Sequence, residues 1–435
     1  MEHARRQTIL RLHSTGIGQI MRTMVVVLGR ILVLLVAALL CLPVILLPSA
    51  TSVPTPVWVL LAIADVALLI VQYRLTPIWL GIIVSLVGVM AVSLVAIAAS
   101  QFFVSTPPIA DAQGRVEPGS IATLEKVNLN GSEQWITIRG TDVNKPVLLF
   151  LAGGPGGTDL AVTRIALGGL EEHFVVVNWD QPGAGKSYDA VPHTSLTLER
   201  YIADAHELTL YLRRRFGQAK VYVLGESWGS VLGIWLVQRY PELFHAFIGT
   251  GQMVAFKEND LLCYEFALRW AQERGDSQKV EQLKRLGPPP YYGGGVAQKE
   301  ATFLLDTYEY MNQNPAIIQA GNTLRDMAGQ EYGLYDKLNY VRGALDTLNV
   351  VYPQLWEVDL RRQASHLEVP VYFLKGRHDV NAPTVLTEEY YRVLTAPHKE
   401  LIWFERSGHN PWISEPTKFV DVMVNTVLAQ NSPAR

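Results

Sequence analysis

The alternation of apolar and polar positions along the chain changes character near residue 105. Before it, apolar residues run almost unbroken through residues 24–47, 57–73 and 78–104, with Arg30, Asp65 and Arg74 the only charges among them. Each run is close to the roughly 20 residues that a helix needs to cross a hydrocarbon core. Pro48, Pro54 and Pro56 separate the first two runs, and residues 74–77 the second and third. Trp58, Tyr73 and Trp79 stand at the ends of their runs, where amphipathic rings favour the headgroup zone. The pattern predicts three transmembrane helices. A charge at mid-bilayer is costly, so Arg30 is expected to snorkel toward an interface and Asp65 to face another helix.

Beyond residue 105 the pattern is that of a soluble domain. Residues 105–119 are rich in Pro, Gly and small polar residues, as a linker would be. Residues 134–139 alternate like an antiparallel strand, whereas 147–151, 174–178, 221–224, 247–249, 371–374 and 401–404 are short apolar runs typical of buried parallel strands. Between residues 197 and 216, apolar side chains at Leu198, Tyr201, Ile202, Ala205, Leu208 and Leu212 form a helical stripe ending in Arg213, Arg214 and Arg215, where the helix dipole favours cations. Strands alternating with helices predict a doubly wound, mostly parallel α/β sheet. Residues 257–362 interrupt that rhythm with largely helical sequence around a Pro/Gly stretch at 287–295, the signature of a helical cap inserted over the sheet. The expected organisation is therefore a cytoplasmic segment at 1–23, a membrane domain at 24–104, a linker at 105–119, a core formed by 120–256 with 363–435, and the cap.

Charge adds orientation. Arg5, Arg6, Arg11 and Arg22 precede the first run, the loop after it carries no Lys or Arg, and Arg74 lies between the second and third. The positive-inside rule then puts the N-terminus in the cytoplasm and the C-terminal domain outside it, at a membrane whose lipid is its first partner. The net charge of -3 over 435 residues gives no basis for nucleic-acid binding. With only Cys41 and Cys263, far apart, neither a disulfide framework nor a zinc cluster is expected.

The candidate chemistry starts at Gly225-Glu226-Ser227-Trp228-Gly229, directly after the 221–224 strand and before a helical run. G-x-S-x-G on a strand-to-helix turn lifts the serine Oγ above the sheet, and small residues on both sides leave room for the sharp backbone. Ser227 is the candidate nucleophile. A serine needs a base, and the base needs an orienting acid, arriving in the chain order Ser, Asp or Glu, His. Asp379 follows the 371–374 strand and His409 follows the 401–404 strand; His378 is a neighbour in sequence without the same placement. An oxyanion hole requires two N–H groups. Trp228 supplies one, and Gly154, in the turn Ala152-Gly153-Gly154-Pro155-Gly156-Gly157, supplies the other. The run Gly183-Ala184-Gly185-Lys186-Ser187 looks like the tail of a phosphate-binding loop, but Asp180 stands where that motif requires glycine.

Gly-Gly-Pro-Gly after the first buried strand, the run from Asn178 to Ser187, the Gly-Glu-Ser-Trp-Gly-Ser elbow and Ser407-Gly408-His409 together resemble the proline iminopeptidase group of α/β hydrolases, from about residue 120 onward. The resemblance implies a serine exopeptidase that removes an N-terminal residue, often proline, beneath a helical cap, with no metal or organic cofactor. It also implies that acids hold the substrate ammonium. Glu258, Asp260 and Glu265 at the start of the cap are candidates, with Glu226 beside the nucleophile. Two departures concern the substrate rather than the triad: the family commonly has His at the position of Ala152 and Arg at that of Pro182. A peptide is thus the expected substrate, with a small acyl compound, cleaved by an esterase of the same fold, as the alternative. A non-catalytic membrane sensor is a more distant one.

Overall fold

The computed structural model describes residues 2–431; the side chains of residues 1–20, 22, 23 and 73 lie outside the described set. Arg5, Arg6, Arg11, Arg22 and Tyr73, which carry the orientation and part of the interfacial reading, are therefore outside the described residues. The chain divides into two compact units, Met1–Phe103 and Val104–Arg435.

The first unit consists of α1 (Glu2–Ala50), α2 (Thr55–Arg74) and α3 (Ile78–Phe102). Windows at Met24–Ala50, Thr55–Gln72 and Ile78–Phe102 are long and apolar enough to cross a membrane. α1 differs from expectation at both ends, since it begins at Glu2 and carries Pro43 and Pro48 inside it. Near Pro43 the Ser93 hydroxyl of α3 donates to the Leu40 carbonyl of α1. The buried face of α3 is a row of small and polar residues, Gly81, Ser85, Val89, Ser93, Ala96 and Ser100, which lets backbones approach closely. Asp65 is 5% exposed, turned toward the other helices, whereas Arg30 is exposed.

The second unit is built on one eight-stranded sheet. Its strands are β1 (Ile121–Leu129), β2 (Ser132–Gly140), β3 (Val147–Leu151), β4 (Val175–Trp179), β5 (Val221–Glu226), β6 (Phe244–Thr250), β7 (Val371–Gly376) and β8 (Lys399–Phe404), in the spatial order β1-β2-β4-β3-β5-β6-β7-β8. β1 and β2 run antiparallel and the other six are mutually parallel. The sequence reading overlooked β1, which pairs along its whole length with β2 but contains mostly half-buried positions, so no apolar run marks it. β3 and β4 are buried throughout, as continuous apolar strands covered on both faces should be.

Helices α4 (Leu160–Ala166), α5 (Leu198–Phe216) and α6 (Trp228–Arg239) flank the sheet. α5 starts where the Thr197 hydroxyl accepts the Arg200 N–H at 3.2 Å and stops at Gly217, whose φ of 62° only glycine adopts cheaply. Between β6 and β7 the chain leaves the sheet to form α7 (Phe256–Glu273), α8 (Ser277–Leu286), α9 (Val296–Gln313), α10 (Thr323–Met327) and α11 (Leu334–Arg342), followed by a π-type turn at Gly343–Thr347. Strand order reverses between β3 and β5, and the loops leaving their C-terminal ends meet there, the place where open α/β sheets collect ligands.

Candidate active site

Ser227 terminates β5 at φ 51° and ψ −118°, and with Asn130 it is one of two non-glycine residues at positive φ among the described residues. Strain of this kind persists only where the surroundings enforce it. The enforcement is visible in the flanking glycines. A Cβ on Gly225 would run into the Gly229 and Ser230 backbone, and one on Gly229 into the Leu151 and Ala152 carbonyls. The Ser227 N–H donates to the Thr250 carbonyl at 3.0 Å, tying the elbow to the end of β6.

His409 and Asp379 come from the loops after β8 and β7. His409 Nδ1 lies 3.0 Å from Asp379 Oδ2 and 3.2 Å from Oδ1. Asp379 is 3% and His409 3% exposed, whereas His378 is half-exposed. Asp379 is held by more than the imidazole: Oδ1 accepts the N–H groups of Asn381 and Ala382 at 3.0 and 2.9 Å, and Oδ2 lies 2.7 Å from Lys375 Nζ. Burial alone would raise its pKa, but the Lys375 ammonium and His409 outweigh that and keep the carboxyl ionised well below the ordinary range. Lys375 is fully buried and escaped the sequence reading. Its only signal there was a cation at the end of an apolar strand, four residues before an acid.

The other imidazole nitrogen, His409 Nε2, is buried and has no hydrogen-bond partner among the described residues; Glu226 Oε1 is 3.6 Å away. A Cβ on Gly251 would lie 2.9 Å from His409 Cε1, and one on Gly153 would overlap Glu226 and reach 3.3 Å from Ser227 Cβ. Glycine at these two positions makes room for the imidazole and the elbow. Tyr308 of α9 meets His409 edge-on with ring centroids 6.1 Å apart, and its hydroxyl accepts the Asn381 amide at 3.2 Å. A cleft of about 110 Å³ opens beside His409 between Tyr308, Met311, Ile317, Gly408 and Asn410.

The glycine turn after β3 faces the elbow, and Gln181 fixes the two together. Its amide donates to the Ala152 carbonyl at 3.0 Å while its carbonyl accepts the Trp228 indole N–H at 2.9 Å. Gly154 has φ 124° and is exposed, whereas the Gly153 N–H is directed at the carboxyls of Asp159 and Glu226. Those two acids lie side by side. Burial, then the charges of Asp159 and Asp379, push Glu226 well above the ordinary carboxyl range. Asp159 still meets solvent over part of its surface, yet enclosure and the nearby Asp326 raise it to about 7.

The remaining acids named from the sequence do not gather here. Glu258 is exposed and paired with Arg361 at 2.5 Å, and Glu265 is exposed on the outer face of α7. The helical period explains this: Asn259, Asp260, Cys263 and Tyr264 take the inward positions. Asp260 is buried in a separate cluster, bonded to the Tyr352 hydroxyl and near Glu300, and burial raises it to about 7. Nor is the Gly183–Ser187 run a phosphate cradle. Lys186 Nζ pairs with Asp336 of α11 at 2.7 Å and lies 4.3 Å from the centre of the Trp135 ring, while Asp180 accepts the Lys186 N–H at 2.7 Å. The run joins core to cap.

The serine aminopeptidase S33 family matches residues 170–416, a span that contains the elbow, Asp379 and His409. The probable aminopeptidase YbaC of Bacillus subtilis (strain 168) is 29% identical over 316 residues, covering 71% of this chain and 96% of that protein. A proline iminopeptidase of Heyndrickxia coagulans is 26% identical over 314 residues, 70% of this chain and 94% of that one. Among solved structures, the proline iminopeptidase of Mycobacterium smegmatis superposes with a TM-score of 0.52 at 16% identity, over 71% of this chain and 99% of that chain, which is agreement of fold. With a strained serine elbow on an eight-stranded α/β-hydrolase sheet and a family match over more than half its length, the chain belongs to the serine aminopeptidase S33 family of hydrolases.

Proposed function

We propose that the protein is a membrane-anchored serine aminopeptidase whose hydrolase domain works outside the cytoplasm. The observation that carries the chemistry is the buried His409–Asp379 pair, 3.0 Å apart, whose Nε2 has no hydrogen-bond partner among the described residues and lies 3.6 Å from Glu226, the residue before Ser227. In this reading Ser227 Oγ attacks the scissile carbonyl as His409 Nε2 takes its proton, and Asp379 holds the Nδ1–H tautomer and stabilises the imidazolium. The N–H groups of Trp228 and Gly154 receive the oxyanion. His409 then protonates the departing amine, and water, deprotonated by the same nitrogen, hydrolyses the acyl-serine ester.

The substrate class follows from Glu226 and Asp159. Two neighbouring carboxyls, Glu226 raised by burial and by Asp159, and Asp159 raised by burial and by Asp326, are poised to ionise when a cation arrives, and the α-ammonium of a free peptide N-terminus is such a cation. The anchoring reading is supported by the three apolar helices, and the orientation by the arginines before the first and between the second and third.

Ser227→Ala is expected to lower kcat about a millionfold, as in other triad enzymes; turnover unchanged by that substitution would overturn the assignment. Aminoacyl-arylamides compared with short acyl esters decide the substrate class, and ester cleavage without amide cleavage would replace the aminopeptidase with an esterase. External protease should remove the hydrolase domain from intact cells, and its protection would reverse the topology.

A further inference from the structure

α11 is turned inside out. Its polar residues Asp336 and Asn339 are 5% and 2% exposed, while Leu338 and Val341 are 55% and 49% exposed. The stripe continues one turn further at Leu345, 39% exposed, and Leu324 on the neighbouring α10 is 80% exposed. The inward face has a reason to be polar. Asp336 pairs with Lys186 and caps its own helix through the Gly333 N–H, and the backbone at Gly343 lies against Gly156 of the glycine turn. The outward face has no such reason, because an apolar helical stripe stabilises a protein only where something removes it from water.

What covers it is indicated by where the chain enters this unit. The Ser105 N–H donates to the Gln330 carbonyl at 3.3 Å, and the Thr106 hydroxyl donates to Glu331 at 3.0 Å. Arg139 locks the same stretch by donating to Thr106 Oγ1 at 2.7 Å and to the Pro107 carbonyl at 2.5 Å. The anchor point at residues 330–331 therefore lies between α10 and α11, and it holds residues that follow the last membrane-type helix, ending at Phe102, by only three positions. Three residues reach at most about 11 Å. Whatever surface the third helix emerges from is within that length of chain from the root of α11.

From these observations we infer that the outer face of α10 and α11, with Leu324, Leu338, Val341 and Leu345, docks into the phospholipid surface that anchors the chain. This rests on the membrane-anchoring reading above. Such a face enters the headgroup and acyl boundary by about 5 to 10 Å. On the inner side, the backbone at Gly343, directly after α11, touches Gly156 in the glycine turn proposed to hold the oxyanion.

The test uses the full chain reconstituted into phosphatidylcholine and phosphatidylglycerol vesicles. Leu338→Cys, Val341→Cys and, as control, Leu305→Cys on α9, itself 64% exposed, each carry an environment-sensitive fluorophore; the native Cys41 and Cys263 are buried. Emission at 338 and 341 should shift to the blue and be quenched by brominated lipid, with neither change at 305. Water-like, unquenched emission at 338 and 341 in protein that floats with the vesicles overturns the docking while leaving the anchor intact. Blue-shifted emission that lipid does not quench identifies a protein occupant, such as a second copy, and overturns it as well. Protein that fails to float with vesicles removes the anchor and the docking together.

Discussion

Lys375→Met tests the electrostatics of the site most directly. Lys375 Nζ lies 2.7 Å from Asp379 Oδ2 and 2.6 Å from the Ala382 carbonyl, with both side chains of the ion pair fully buried. At that separation and an effective dielectric of about 20, the Coulomb attraction is on the order of 6 kcal/mol. Methionine keeps most of the volume but leaves Asp379 buried with His409 as its remaining ionisable partner, and breaking a buried pair in this way costs about 3 to 5 kcal/mol. The sign follows from linkage. Asp379 is depressed in the folded protein, so its contribution to stability is present above the unfolded carboxyl pKa of about 3.9 and is lost as pH falls through the lower folded value. Without the ammonium the folded value rises, and that contribution shrinks or changes sign. The acid limb of kcat/KM should move upward at the same time, because a protonated Asp379 cannot stabilise the imidazolium. Thermal unfolding together with a pH–rate profile on an aminoacyl-arylamide reads both effects. A variant with unchanged unfolding and an unchanged acid limb would refute the reasoning, since a buried charge cannot lose a contact this close and notice nothing.

Other consequences are independent of Lys375. Gly251→Ala places a methyl 2.9 Å from His409 Cε1 at a φ of 52°; it should cost about 1 kcal/mol of stability and, by shifting the imidazole, on the order of a hundredfold in kcat, measured by melting and steady-state kinetics. Glu226→Gln should raise KM for substrates with a free N-terminal amine and leave N-acylated esters unaffected, and equal effects on both would remove Glu226 from amine recognition. Asp159, Asp180 and Asp260 are each raised by burial to about 7. Because the native state binds more protons than the unfolded one, stability should fall as pH rises from about 4 toward 7, and a calorimetric series checks that slope.

The parts of this protein legible in its sequence are those where local chemistry and fold agree. Strands β3 to β7 carry continuous apolar runs because they are covered on both faces, and α5 announces itself by an apolar stripe that ends in three arginines. Ser227, Asp379 and His409 could be named because a strand end followed by a small-residue turn is a local event. β1 was not legible, since its half-buried positions leave no run to read. Lys375 carries no motif at all: its role exists only because β7 delivers it beside an acid four residues on. The same holds for the acids of α7. Their sequence permits Glu258, Asp260 and Glu265 equally, and only the packing of α7 on the loop at Asn381 turns Asp260 inward and leaves the other two in water.

The sequence by itself determined three apolar helices, a mostly parallel sheet with a helical insertion, and the chain order of the candidate nucleophile, acid and base, because these depend on hydrophobic period, turn chemistry and chain order. Only the tertiary structure decided which carboxyls gather beside the candidate nucleophile and which way α11 faces. Those outcomes depend on contacts between residues distant in the chain, Lys186 with Asp336 and Thr106 with Glu331 among them, and no local pattern encodes such pairings.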